Sequence, residues 1–205
     1  MYFLKSRMTI KDSSESKDIN KAAKILKKGG VVIFPTDTVY GIGCRYDNHQ
    51  AIGRIHKIKG TPDSQNFPIL ISDLKQIESL VEINDLTEGL VSRFWPGALT
   101  IILKSVSSDQ KIGLRMPNSK ITKELIKKVG VPIIGTSANF HGDNSPTKFE
   151  DLDPKFIKLA DYVIEGDCSY GVESTIVDVT EGEMKVIRLG ALRLHFDKFQ
   201  RKRSR

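Results

Sequence analysis

Cysteine is scarce in this chain. Cys44 and Cys168 are its two cysteines in 205 residues, they stand far apart, and neither belongs to a Cys-x-x-Cys unit. That excludes a disulfide framework and makes reduced thiols the expectation. The histidines (His49, His56, His141 and His195) share no zinc spacing with the cysteines or with one another. No apolar run approaches the roughly 18 residues of a membrane span. The N-terminal stretch Met1–Arg7 lacks the apolar core of a secretory signal. A cytoplasmic protein without membrane association is therefore expected. The phosphate-loop, dinucleotide, His-Glu-x-x-His and Gly-x-Ser-x-Gly patterns are all missing. A nucleotide, if used, must be held by scattered hydroxyls and basic side chains. That suits an enzyme that positions reactants rather than one that forms a covalent intermediate.

Acidic residues are outnumbered, 25 against 32 lysines and arginines, for a net charge of +7. This favours anionic partners such as nucleotides or RNA. Part of the excess lies in the tail around Arg201-Lys202-Arg203, and such a tail is ordinarily a solvated end. The length suits one sizeable domain. Residues 1–16 are polar and read as a flexible segment, 17–192 as the domain, and 193–205 as a basic tail.

Within the domain, Ile19, Ala22, Ala23 and Leu26 recur at helical spacing, and Gly29-Gly30 closes that helix over 17–28. Val31–Phe34 reads as a buried strand. Pro35-Thr36-Asp37-Thr38 then forms either a turn held by local hydrogen bonds or a strand mouth that meets a ligand. Further helices are expected over 49–58, 73–82, 84–94, 119–129 and 154–160. Further strands are expected over 67–72, 99–104, 112–117, 131–134, 161–165, 174–179 and 184–189. The intermixing points to an α/β domain with a twisted mixed sheet flanked by helices. Trp95, before Pro96-Gly97, is read as a packing lid, with base stacking as the alternative. Arg115 lies in an apolar strand, where an unpaired charge is costly. It meets either an internal carboxylate or an anionic ligand.

The chain is organised around Gly135-Thr136-Ser137-Ala138-Asn139, followed by Ser145-Pro146-Thr147. Ser137 and Asn139 are two apart and face the same way on extended backbone. Small hydroxyls and a carboxamide at a strand's end suit the gripping of phosphate, carboxylate or sugar oxygens. A polar strand exit rich in turn formers is the plainer reading.

Several blocks together resemble one family. Lys28–Gly43 looks like the N-terminal signature of the YrdC-like threonylcarbamoyl-adenylate synthases. Trp95–Thr100, Leu114–Pro117, Thr136–Asn139 with Ser145–Thr147, Gly171–Asp178 and Ile187–Ala191 match further family blocks in order. The resemblance implies a concave, positively lined cleft. It also implies ATP, L-threonine and bicarbonate or CO2 as substrates, Mg2+ with the ATP, and L-threonylcarbamoyl-AMP and pyrophosphate as products. A partner complex would transfer the threonylcarbamoyl group to tRNA beside the anticodon. Carried over, Thr38, Arg115, Ser137 and Ser174 face the threonine end. Lys59, Asn139, Thr147 and Arg188 face the nucleotide, with Lys59, Ser137 and Asn139 at the centre of catalysis.

The chain departs from the family at Lys59-Gly60-Thr61-Pro62, where Thr61 stands in place of an expected arginine. Phe67 precedes Pro68, Asn66 is the nearest polar stand-in, and Ser72 occupies a position that many members give to histidine. Lys57, Arg54 or Lys111 are candidates to replace the missing charge. Two rival readings follow: a double-stranded RNA or ribosome-binding module of the same fold without synthase activity, and a hydrolase of the same adenylate; tRNA or double-stranded RNA is a candidate partner.

Overall fold

The computed structural model describes residues 10–193, with side chains from Glu15 onward. Helix α1 (Ile10–Lys27) starts before the expected boundary and buries Ile19, Ala22, Ala23 and Leu26. It packs against α4 (Lys120–Val129), which is N-capped by Ser119 and closed by left-handed Gly130. Both helices cover the first sheet. Its β1 (Val32–Pro35) is wholly buried and pairs antiparallel with β2 (Tyr40–Gly43).

There are two mixed sheets rather than one. The first has the order β7-β2-β1-β8, with β7 at Thr136–Ser137 and β8 at Tyr162–Val163. The second has the order β10-β9-β4-β5-β3-β6. Its strands are β3 (Ile69–Leu70), β4 (Leu99–Lys104), β5 (Lys111–Arg115), β6 (Ile133–Ile134), β9 (Thr175–Asp178) and β10 (Lys185–Arg188). The chain crosses from one sheet to the other between β6 and β7, at Gly135. A Cβ there would run into the Leu70 side chain.

Helices α2 (His49–Lys59), α3 (Asp85–Phe94) and α5 (Pro154–Ile157) complete the domain. Two apolar clusters fill it, and Tyr46 and Ile69 pack against both. Over 73–82 the expected helix is replaced by one short turn, Leu74–Gln76. Ile77, Leu80 and Val81 are buried. Val81 nevertheless bridges Ser105, and Glu82 N–H bonds Lys104 O, which draws the chain onto the sheet. Trp95 is 9% exposed and donates its indole N–H to Leu99 O at 2.7 Å, so it packs as a lid. Among the described residues, no helix is long and apolar enough to cross a membrane. The basic tail from residue 194 lies outside the described residues.

Candidate functional site

The two sheets diverge at Gly135, and the gap between them is a cleft of about 370 Å³. Thr38, Arg115, Ser137 and Ser174 all line it, together with Arg188. These residues come from five separate stretches: the β1–β2 turn, β5, β7, the residue before β9, and β10.

Arg115 is 6% exposed at the end of β5. Its Nη2 donates to Asp37 Oδ1 at 2.5 Å, its Nη1 to Thr38 Oγ1 at 2.8 Å and its Nε to Gly97 O at 3.0 Å. The internal carboxylate left open by the sequence is therefore Asp37. Burial pulls the guanidinium below its ordinary value and Asp37 opposes this. A guanidinium has five N–H groups, so one remains on each terminal nitrogen beside the cleft. Asp37 Oδ2 is buried without a hydrogen-bond partner. Sequence reasoning placed Asp37 at a strand mouth but did not pair it with Arg115. The signal was the buried arginine itself, which requires a carboxylate from a distant turn.

The hydroxyls form two buried pairs. Thr36 and Thr38 Oγ1 lie 2.9 Å apart, and Thr100 Oγ1 lies 2.8 Å from Ser174 Oγ. Thr36 Oγ1 also donates to Val39 O, closing the turn that carries Thr38. Thr100 was not anticipated as a site residue. It alternates inward on β4 and shares its face with the cleft. Arg188 reaches Ser174 O with Nε and Nη2 at 3.2 and 3.0 Å, and lies 3.9 Å from Glu173.

The residues expected at the nucleotide are not all brought to the cleft. Lys59, Asn139 and Thr147 are absent from its lining. Lys59 ends α2 and is 5% exposed. Its Nζ donates to Ser137 O at 2.5 Å and to Asn139 O at 2.8 Å, tying the end of α2 to the segment after the crossing. Burial pushes its ammonium down to about 8, with Glu173 opposing. Asn139 spends its amide N–H groups on Phe140 O and Asp143 O, while its Oδ1 is buried without a partner. Thr147 donates its hydroxyl to Asp151 at 2.9 Å.

Thr61 is buried, and its hydroxyl lies 3.1 Å from His56 Nδ1. The His56 ring stacks on Phe67 at 4.3 Å. The departure at position 61 is therefore a packed unit of three residues. Gln65 and Asn66, both exposed, lie at the cleft's edge, where Asn66 Nδ2 donates to Lys111 O at 3.4 Å. Of the candidates for a replacement charge, Arg54 is bonded to Asp161 and Lys57 is exposed away from the lining. Lys111 does line the cleft, 3.0 Å from Asp178. The lining thus carries Lys111, Arg115 and Arg188 against Glu173 and Asp178, closer to balance than the resemblance implies.

A family model described as telomere recombination, spanning the Sua5, YciO and YrdC proteins, matches residues 24–190. A Methanocaldococcus jannaschii protein provisionally named threonylcarbamoyl-AMP synthase is 36% identical, over 84% of this chain and 87% of its own. A Pyrococcus abyssi protein named threonylcarbamoyl-AMP synthase is 34% identical over 91% of this chain, which spans only 58% of that protein. Among solved structures, P. abyssi Sua5 complexed with L-threonine superposes with a TM-score of 0.80 at 35% identity, over 86% of this chain and 54% of that one. Escherichia coli YciO superposes with a TM-score of 0.77 at 29% identity, over 84% of this chain and 88% of its own.

Proposed function

The chain belongs to the Sua5–YciO–YrdC family, and on that premise we propose that it is a threonylcarbamoyl-AMP synthase acting in tRNA modification. The observation that carries this reading is the convergence of Thr38, Arg115, Ser137 and Ser174 on one cleft. The relative complexed with L-threonine supports it.

In this reading, the threonine carboxylate meets the two free N–H groups of Arg115. Asp37 and Gly97 O fix the plane of the fork, so little freedom is lost when the ligand arrives. The hydroxyls of Ser137, Ser174 and Thr38 orient the amino and hydroxyl ends. The amine adds to CO2 with loss of a proton, or condenses with bicarbonate with loss of water, to give N-carboxythreonine. That carboxylate attacks the α-phosphate of ATP in line, the bond to the bridging oxygen breaks, and pyrophosphate leaves with the electron pair. No side chain needs to become covalently attached, so catalysis comes from positioning and charge placement. Arg188, with Lys59 tied to the segment after the crossing, is the cationic side nearest the nucleotide.

Magnesium would travel with the triphosphate. The described residues contain no group of three or more His, Cys, Asp or Glu able to hold a metal ion, so no protein ligand is assigned to it. The transferring partner complex and tRNA are expected acceptors downstream. L-Threonine titrated calorimetrically into the protein tests the reading. Saturable binding that Arg115→Lys weakens at least tenfold is expected. Equal affinity in both proteins would remove threonine from this cleft.

A further inference from the structure

A second cavity, of about 660 Å³, lies across the Thr36–Asp37 turn from the cleft, and Thr36 lines both. Its walls carry five carboxylates, Glu15, Asp18, Asp37, Glu165 and Asp167, against the one ammonium of Lys120. Lys120 stands 3.9 Å from Glu15, and the Tyr162 hydroxyl donates to Asp18 at 2.7 Å. Glu165 and Asp167 are exposed and make no ion pair among the described residues. Asp37 is 3% exposed and lines this cavity, not the cleft. Its Oδ1 holds Arg115, while its Oδ2 is, among the described residues, the one buried carboxylate oxygen without a hydrogen-bond partner. Such an oxygen is costly to leave unmet and calls for a donor. The surroundings agree. Burial raises the Tyr162 hydroxyl to about 12 and the Cys168 thiol to about 11, and Asp18 and Glu165 add to the first rise, Asp37 and Asp167 to the second. The Tyr162 ring already attracts the Lys21 ammonium, 4.3 Å from its centroid.

The spacing of the carboxylates decides the class of ligand. A divalent metal ion gathers its oxygens at one point, and no three acidic groups among the described residues converge in that way. Carboxylates spread along a cavity suit a ligand whose positive charges are also spread. We infer that this second cavity binds a linear polyamine, one ammonium seated at Asp37 and the others between the carboxylates of α1 and those at 165 and 167. The inference does not depend on the synthase reading, since the cavity lies outside the cleft that carries it.

The test titrates spermidine calorimetrically into the full chain at low ionic strength. Saturable one-to-one binding is expected, at least tenfold tighter than that of propylamine, with the carboxyl carbon resonance of Asp37 moving in step with occupancy. Magnesium chloride at equal concentration is expected to leave the complex intact. Glu165→Gln with Asp167→Asn should weaken spermidine at least fivefold. Glu78→Gln with Glu88→Gln removes the same charge from exposed positions outside the cavity and should change it less than twofold. Equal losses in the two double variants, or binding that never saturates, would reduce the cavity to diffuse attraction and overturn the inference. Propylamine binding as tightly as spermidine, or displacement by magnesium, would overturn the class of ligand. A static Asp37 resonance would overturn the seat assigned to that carboxylate.

Discussion

Arg115 has both a structural and a binding role, and substitutions separate them. Arg115→Ala leaves Asp37 buried without its ion pair. Loss of one partner of a buried pair costs about 3–5 kcal/mol, so chemical denaturation should show a protein destabilised by that order. Arg115→Lys keeps a cation beside Asp37 but removes the planar fork. Loss of one charge-assisted hydrogen bond, about 1.5–3 kcal/mol, should raise the threonine KM by roughly ten- to a hundredfold with the fold retained. An unchanged KM would mean that the guanidinium serves Asp37 alone. Lys59 makes a different prediction. Its pKa falls from 10.5 to about 8, so the folded state binds fewer protons than the unfolded state between those values. Stability therefore rises with pH across that window, and the gain is lost as pH falls through 8. The neutral amine still has N–H groups for both carbonyls. Urea denaturation at pH 7.5 and 9.5 should show the wild type gaining on Lys59→Met at the higher pH. A constant difference would show that Lys59 titrates normally. At position 61, Thr61→Val strands the His56 ring nitrogen and should cost about 1–3 kcal/mol, readable as a lower melting temperature.

At the scale of elements, the long periodic helices and apolar strands were legible because burial imposes their patterns. The buried faces of α1 and α4 and the strand β4 lie where the apolar residues place them. Strand β2 is not among the strands the sequence predicts: Tyr40-Gly41-Ile42-Gly43 has two glycines, which weaken strand propensity. Packing overrides that here. A Cβ on Gly43 would collide with the backbone carbonyl of Ile134 in the neighbouring sheet. Gly43→Ala is therefore expected to destabilise by about 1–3 kcal/mol through overpacking, while substitution at Gly53, which has open space around it, should not. Matching melting temperatures for the two variants would refute this account of the crossing. That Thr38, Arg115, Ser137 and Ser174 would share one cleft was legible from block resemblance. The postures of Lys59, Asn139 and Thr147 were not. Each satisfies local carbonyls or a carboxylate, and such choices depend on loop geometry rather than on residue type.

At the scale of the molecule, two mixed sheets joined through Gly135 open a cleft, and the site is assembled from turns and strand ends that lie far apart in sequence. That architecture suits catalysis by placement, with charge used sparingly. The central claim is that this cleft joins threonine, a one-carbon unit and a nucleotide. The most direct measurement is pyrophosphate release from ATP and magnesium by the purified chain, with L-threonine and bicarbonate varied independently and the adenylate identified by mass. The account predicts release that requires both co-substrates and yields threonylcarbamoyl-AMP. Pyrophosphate release indifferent to threonine, or none from correctly folded protein, would contradict it.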